Sequence, residues 1–159
     1  MKKIIFVYIL LMIAVGILAV FLTGKMPFNL PTFTSANVKL GNKEYSAILV
    51  KSDKDKMKGL SGRTSLDKNT GMLFVFDKKA PYPFWMKDMK FPIDIIYIND
   101  DSIVDIFENV PAPQKAAPLY SLPVYKPKAD ANYVFEINAG QTKQNNIKIG
   151  DKVSFKGVK

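Results

Sequence analysis

From Ile4 to Leu22 the chain runs through 19 residues without a charge, and this block constrains everything that follows it. At the helical rise of about 1.5 Å per residue, such a run matches the roughly 30 Å hydrocarbon core of a bilayer. It is expected to cross a membrane once. Lys2 and Lys3 before the run and only Lys25 soon after it place the N-terminus in the cytoplasm and the remainder outside, by the positive-inside bias. The run ends in Ala19-Val20-Phe21-Leu22-Thr23-Gly24 rather than in a short small-x-small site, which favours an anchor over a cleaved signal peptide. The expected organisation is a signal-anchor or signal segment over 1–24, a tether over 25–36 containing Pro27 and Pro31, and one domain over 37–159. The expected location is the cell membrane, single-pass, with the C-terminal domain outside the cytoplasm, or secreted if the segment is cleaved.

Cysteine and histidine are both absent. That removes disulfides, thiolate nucleophiles, lipoprotein acylation, histidine general bases and ordinary zinc or haem sites. Carboxylates, lysine, hydroxyls and methionine sulfur remain. The net charge of +9 comes from lysines spread along the whole chain, without the basic helix or stripe of a nucleic-acid reader. No nucleic-acid partner is expected. The same charge would draw the domain weakly toward anionic lipid or acidic wall polymers.

The domain reads as mainly β. Val38 and Leu40, then Tyr45, Ala47 and Leu49, alternate with polar residues around Gly41-Asn42, the pattern of a hairpin. Ser52 with Asp55 forms a capping box for a very short helix, with Met57 and Leu60 as its buried face and Gly59 or Gly62 as its stop. Gly71 to Phe76 reads as a core strand closed by a turn at Asp77–Pro81, and Phe84 to Met86 as another strand. Ile93–Ile98 and Ile103–Phe107 form a second hairpin around Asn99-Asp100-Asp101-Ser102, a loop that lacks the glycine and distal glutamate of a calcium site. Five prolines between Pro111 and Pro127 predict a long loop or an edge. Tyr133–Ile137 and Val153–Phe155 close the fold. Short strands joined by turns predict a single compact β-sandwich, jelly-roll-like, or a partly open barrel with one or two short helices.

Among 23 basic residues the only arginine is Arg63, so its planar fork of donors is a specific choice. It suits a bound carboxylate or phosphate, or an internal partner, for which Asp94 is the first candidate: within Phe91–Ile98 Asp94 alone is charged and needs compensation. Glu136, in Tyr133–Ile137, poses the same question. Trp85, between Phe84 and Met86, is a ligand platform if exposed, though a tryptophan in apolar company is more often core. Met57, Met72, Met86 and Met89 are read as core filler, with a thioether site for Cu(I) as the alternative. No metal or cofactor is assigned. Asp88 and Asp94 are the best catalytic carboxylate pair on offer, supported by spacing alone.

Gly59-Leu60-Ser61-Gly62-Arg63, Gly71–Phe76, Phe84-Trp85-Met86-Lys87 and Pro92–Ile98, in this order and spacing, resemble the domain-of-unknown-function family numbered 192. Tyr120-Ser121, Val134-Phe135-Glu136, Ala139-Gly140 and Gly150–Val153 continue the resemblance, which spans roughly Asn37 to Phe155. It implies a compact β-sandwich behind a signal or anchor segment and supplies no reaction. Arg63, Met72, Trp85, Met86, Lys87 and Asp94 fall at the family's signature positions. Asp88-Met89 and Gly59-Leu60-Ser61 depart from the usual Asn-Thr and Gly-Leu-Met. The leading expectation is a membrane-tethered extracytoplasmic domain that binds an envelope ligand or protein partner through these residues. The rivals are an enzyme using Asp88 and Asp94 on an envelope glycan, and a purely structural assembly module.

Overall fold

The computed structural model describes residues 35–114 and 118–158, together with positions 5, 8 and 12. The expected membrane segment, and the tether up to residue 34, lie outside the described residues. Among those described, no helix is long and apolar enough to cross a membrane.

From residue 35 onward, the described residues form nine strands, two short α-helices and one 3-10 turn: β1 (Ser35–Leu40), β2 (Lys43–Val50), α1 (Asp53–Lys58), β3 (Thr70–Ala80), β4 (Phe84–Trp85), β5 (Ile93–Asn99), β6 (Ser102–Val110), the 3-10 turn (Leu119–Ser121), β7 (Val124–Tyr125), β8 (Ala131–Asn138), α2 (Gln141–Gln144) and β9 (Val153–Lys156). Seven of the strands form one sheet in the order β6-β5-β8-β3-β2-β1-β9, while β4 and β7 make a separate two-stranded ribbon. The β2–β3 pair is parallel and the other pairs are antiparallel. This corrects the jelly-roll sandwich: the domain is a single mixed sheet curled into a half-barrel, close to the alternative of a partly open barrel. The parallel pair arises because the Ser52 cap starts a real helical turn between β2 and β3, and a crossover helix returns the chain in the same direction. Ser52 Oγ accepts from the Asp55 amide at 3.1 Å and donates to the Asp55 carboxylate at 2.6 Å. Gly59 ends the helix at φ +48.

The curl brings the two outer strands together at one end. Ile103 N donates to Asp151 O, Gly150 N to Ile103 O and Val153 N to Asp101 O, at 2.7–3.0 Å. Lys152 Nζ lies 3.0 Å from the Asp101 carboxylate and holds it below the usual carboxylate range. A core fills each face. The inner one contains Val38, Leu40, Tyr45, Leu73, Ile96, Ile98, Phe135 and Ile137. The outer one contains Met72, Phe74, Ile93, Ile95, Tyr97 and Val134 beneath Leu60, Leu66, Met86 and Met89. Strands covered on both sides lose their polar alternation, which is why Ile93 to Ile98 is buried throughout.

Two local expectations change, and the second of the short helices takes its place. Met57 is exposed and only Leu60 turns inward, since a helix of six residues has no room for a buried stripe. The strand at Gly71 continues through Asp77–Lys79 to Ala80, past an irregularity after Val75 that restores pairing at Ala131. The segment after Ala139 contains α2, whose four residues are too few to show periodicity.

Gly71 faces the inner core, where the Phe135 ring and the Glu136 carbonyl oxygen, 2.8 Å from where a Cβ would stand, fill the space. Gly71→Ala is expected to lower stability by about 1–3 kcal/mol through overpacking, read from the midpoint of urea denaturation at unchanged m-value.

Candidate functional site

Side-chain alternation sends the two carboxylates embedded in the sheet to opposite faces. Asp94 pairs with Ile137 and points with Ile96 and Ile98 into the inner core. Glu136 lies across from Met72 on one side and Ile95 on the other, and points into the outer core.

Asp94 is fully buried and saturated with donors. Its Oδ1 accepts from the amides of Asn109 (2.8 Å) and Gly140 (3.0 Å), and its Oδ2 from the amide (2.9 Å) and hydroxyl (2.7 Å) of Thr142. Gly140 at φ +80 turns its amide toward the carboxylate, a conformation that L side chains rarely adopt. The compensation expected from Arg63 thus comes largely from main-chain amides brought in by β6 and α2. Asp94 ties the end of β6 to the start of α2, and its negative charge helps burial push the nearby Tyr45 hydroxyl up to about 12. Asp88 sits exposed at φ +55 in a turn over the opposite face, so the two carboxylates of the proposed catalytic pair do not share a cleft.

The signature loops do meet each other. Ser61 Oγ donates to Lys87 O at 2.8 Å, and Gly62 N to Asp88 O at 2.9 Å. Arg63 and Lys87 are half-buried beside this clasp. Met89 N closes the Met86–Met89 turn on Met86 O at 3.2 Å, so that Met86 and Met89 turn inward while Lys87 and Asp88 face out.

Trp85 overturns the core reading. In the β4–β7 ribbon Phe84 pairs with Tyr125 and Trp85 with Val124. Phe84 packs edge-on against Phe74 and Tyr97 in the outer core, which forces Trp85 and Val124 to the other side, where they are 48% and 60% exposed. Tyr97 secures the ribbon by donating to Tyr125 O at 2.8 Å. Trp85 and Val124 line an apolar groove of about 400 Å³ together with Lys56 and Met57 of α1, Phe76, Tyr82, Pro83 and Phe84. Tyr82 stacks on Phe76 at 3.7 Å between centroids, and the Lys56 ammonium stands 4.8 Å from the Phe76 centroid. Met57 is 78% exposed at the rim. The 3-10 turn just before β7 exposes Leu119 and Tyr120 as well.

These landmarks coincide with a known sequence pattern: residues 36–155 match the DUF192 family, described as "Uncharacterized ACR". The chain belongs to the DUF192 family. No curated protein matches it. Two solved structures share the DUF192 chain's fold. One, from Sinorhizobium meliloti and provisionally named a transcription regulator, is 25% identical with a TM-score of 0.67, over 78% of this chain and 94% of its own. The other, a Novosphingobium aromaticivorans protein of unknown function, is 27% identical with a TM-score of 0.65, over 76% and 83%.

The signature residues of this DUF192 domain therefore divide by place. Trp85 lines the groove, Arg63 and Lys87 flank the clasp, Met72 and Met86 lie in the outer core, and Asp94 belongs to the inner one. The sequence reads Phe76 only as part of a core strand and does not single out Tyr82 or Val124, since the three lie in different segments.

Glu136 contrasts with Asp94. Among the described residues its Oε2 has no hydrogen-bond partner, and burial pushes the carboxyl up to about 8. Raised above its ordinary 4.5, this group favours the folded state fully below pH 4.5. The benefit is lost as pH rises to about 8, at up to about 1.4 kcal/mol per pH unit. Glu136→Gln is expected to flatten the stability–pH profile between those limits and to stabilise the domain at pH 9, measured by denaturant titration. Asp94→Asn, by contrast, leaves a buried amide against Thr142 N and is expected to cost about 1–3 kcal/mol at pH 7, with the far-UV circular dichroism of the folded state unchanged.

Proposed function

We propose that this is a membrane-tethered, extracytoplasmic binding protein whose groove takes the apolar body of an anionic amphiphile from the envelope. The observation that carries the reading is the Trp85–Val124 pair: a large aromatic presented outward by a ribbon whose other side is anchored in the core. Buried tryptophan contributes packing, whereas one held half-exposed in a rigid apolar cleft costs free energy unless something covers it. Met57, unbranched and adaptable, suits a flexible chain, and Lys56 puts a positive charge at the groove beside Lys54 and Lys58 of α1. The apolar run before residue 23 supports a location beside the lipid that would supply such a ligand, and the net charge of +9 supports attraction to anionic surfaces.

The test uses the full chain in nanodiscs, where the single tryptophan makes fluorescence specific to the groove. Octanoate is expected to blue-shift Trp85 emission and to protect it from acrylamide, with octanol binding more weakly. Lys56→Gln should remove the preference for octanoate, and Trp85→Ala should leave the melting temperature within a few degrees. Indifference to both amphiphiles would sink the reading. Protection by soluble wall-glycan fragments instead would reassign the groove to a sugar.

A further inference from the structure

The two cores differ in a way that packing alone does not require. Methionine is absent from the buried residues of the inner core, while the outer core holds Met72, Met86 and Met89, all less than a tenth exposed. That same face carries Glu136, the one buried side chain among those described with a polar atom lacking any partner. We propose that the outer core contains a site for a soft monovalent cation, Cu(I) or Ag(I), built from the thioethers of Met72, Met86 and Met89 with the Glu136 carboxylate.

Register and cover place these groups together. Met72 and Glu136 are direct cross-strand partners on one face, which puts their Cβ atoms about 4.5–5.5 Å apart. The next row along β3 and β8, Phe74 with Val134, is capped by Phe84, whose ring lies 4.9 Å from that of Phe74. On the other side, Asn138 of β8 donates to Leu66 O at 2.9 Å, so residues around Leu66 cover that end. The chain from Phe84 to Ile93 spans from the first of these rows to the second, where Ile93 pairs with Asn138. Its Met86–Met89 turn therefore lies over the row between them, which holds Met72, Glu136 and Ile95. The turn directs Met86 and Met89 inward, as both are buried while Asp88 is exposed.

The chemistry of the donors agrees. Thioethers bind soft d¹⁰ ions and leave calcium and magnesium unbound. They carry no charge, so a cation entering an apolar core needs one anionic ligand to avoid an uncompensated charge. Glu136 supplies it by exchange: the carboxyl O–H bond breaks, an oxygen–metal bond forms, and the proton leaves to solvent. The core's net charge is the same before and after. The Ser61 and Gly62 hydrogen bonds to Lys87 and Asp88 hold the turn in place from outside the apolar layer.

The experiment titrates the full chain in nanodiscs with Ag(I) in chloride-free buffer, and with Cu(I) under anaerobic conditions against a colorimetric chelator. One equivalent is expected to bind, with a change in the emission of the adjacent Trp85. Met72→Leu and Met86→Leu, which conserve volume, should each weaken binding about tenfold or more while retaining the thermal transition. Met57→Leu, at the groove rim, should not alter it. Glu136→Gln should weaken binding as well, since the site then lacks its anionic ligand. Absence of stoichiometric binding by the folded chain, or unchanged affinity in the triple variant of Met72, Met86 and Met89 to leucine, would overturn the proposal. The octanoate response reads the groove independently, so failure of one site leaves the other standing.

Discussion

The need to cover both faces of one curled sheet governs this structure. Every strand between β5 and β2 contributes to two cores, and backbone groups between them are satisfied only by the ladder itself. The inner face is closed by curvature and by the contact between the β6 and β9 ends of the sheet. Among the described residues, the outer face meets only the small β4–β7 ribbon in place of a full second sheet. Its cover is assembled from the loop carrying Leu60 and Leu66, the Met86–Met89 turn and the β4–β7 ribbon. Irregular cover of this kind needs individual clasps, and the hydrogen bonds of Ser61, Gly62, Tyr97 and Asn138 provide them.

Asp94 and Glu136 show how differently one sheet can accommodate a carboxylate. The inner one is surrounded by amides that had to be paired in any case, so its charge organises the junction of β6 and α2. The outer one finds no such donors among the described residues and is held in its protonated state at neutral pH by the apolar surroundings. A group of the first kind contributes to architecture. A group of the second kind costs stability as pH rises, and its presence at the centre of the sheet asks for a chemical use.

Much of the fold was legible because turns and alternation leave local marks. Gly41-Asn42, the Ser52 cap, the acidic loop after Asn99 and the run of prolines each stand where the sequence predicts a break. The curl was not legible, since the bonds joining Asp101 and Ile103 to the segment from Gly150 to Val153 link residues about fifty positions apart with no motif on either side. For the site, the sequence singled out Trp85, Met72 and Met86, but not their directions. Phe84-Trp85-Met86 is apolar at every position, so its in-out-in alternation is invisible until Tyr125 and Val124 are seen opposite. Arg63 and Asp94 attracted attention as rare charges, yet their surroundings are set by loops that no local pattern connects.

The contact between the two ends of the sheet has a consequence for crowded conditions. A flat seven-stranded sheet would offer two free edges for strand addition by other copies. Here the start of β6 uses its amides and carbonyls on the segment leading into β9, and Lys152 and Asp101 add charge at the same spot. Growth by edge-to-edge pairing is thereby blocked where the edges meet, and a chain packed densely beside its copies is kept from polymerising through that seam.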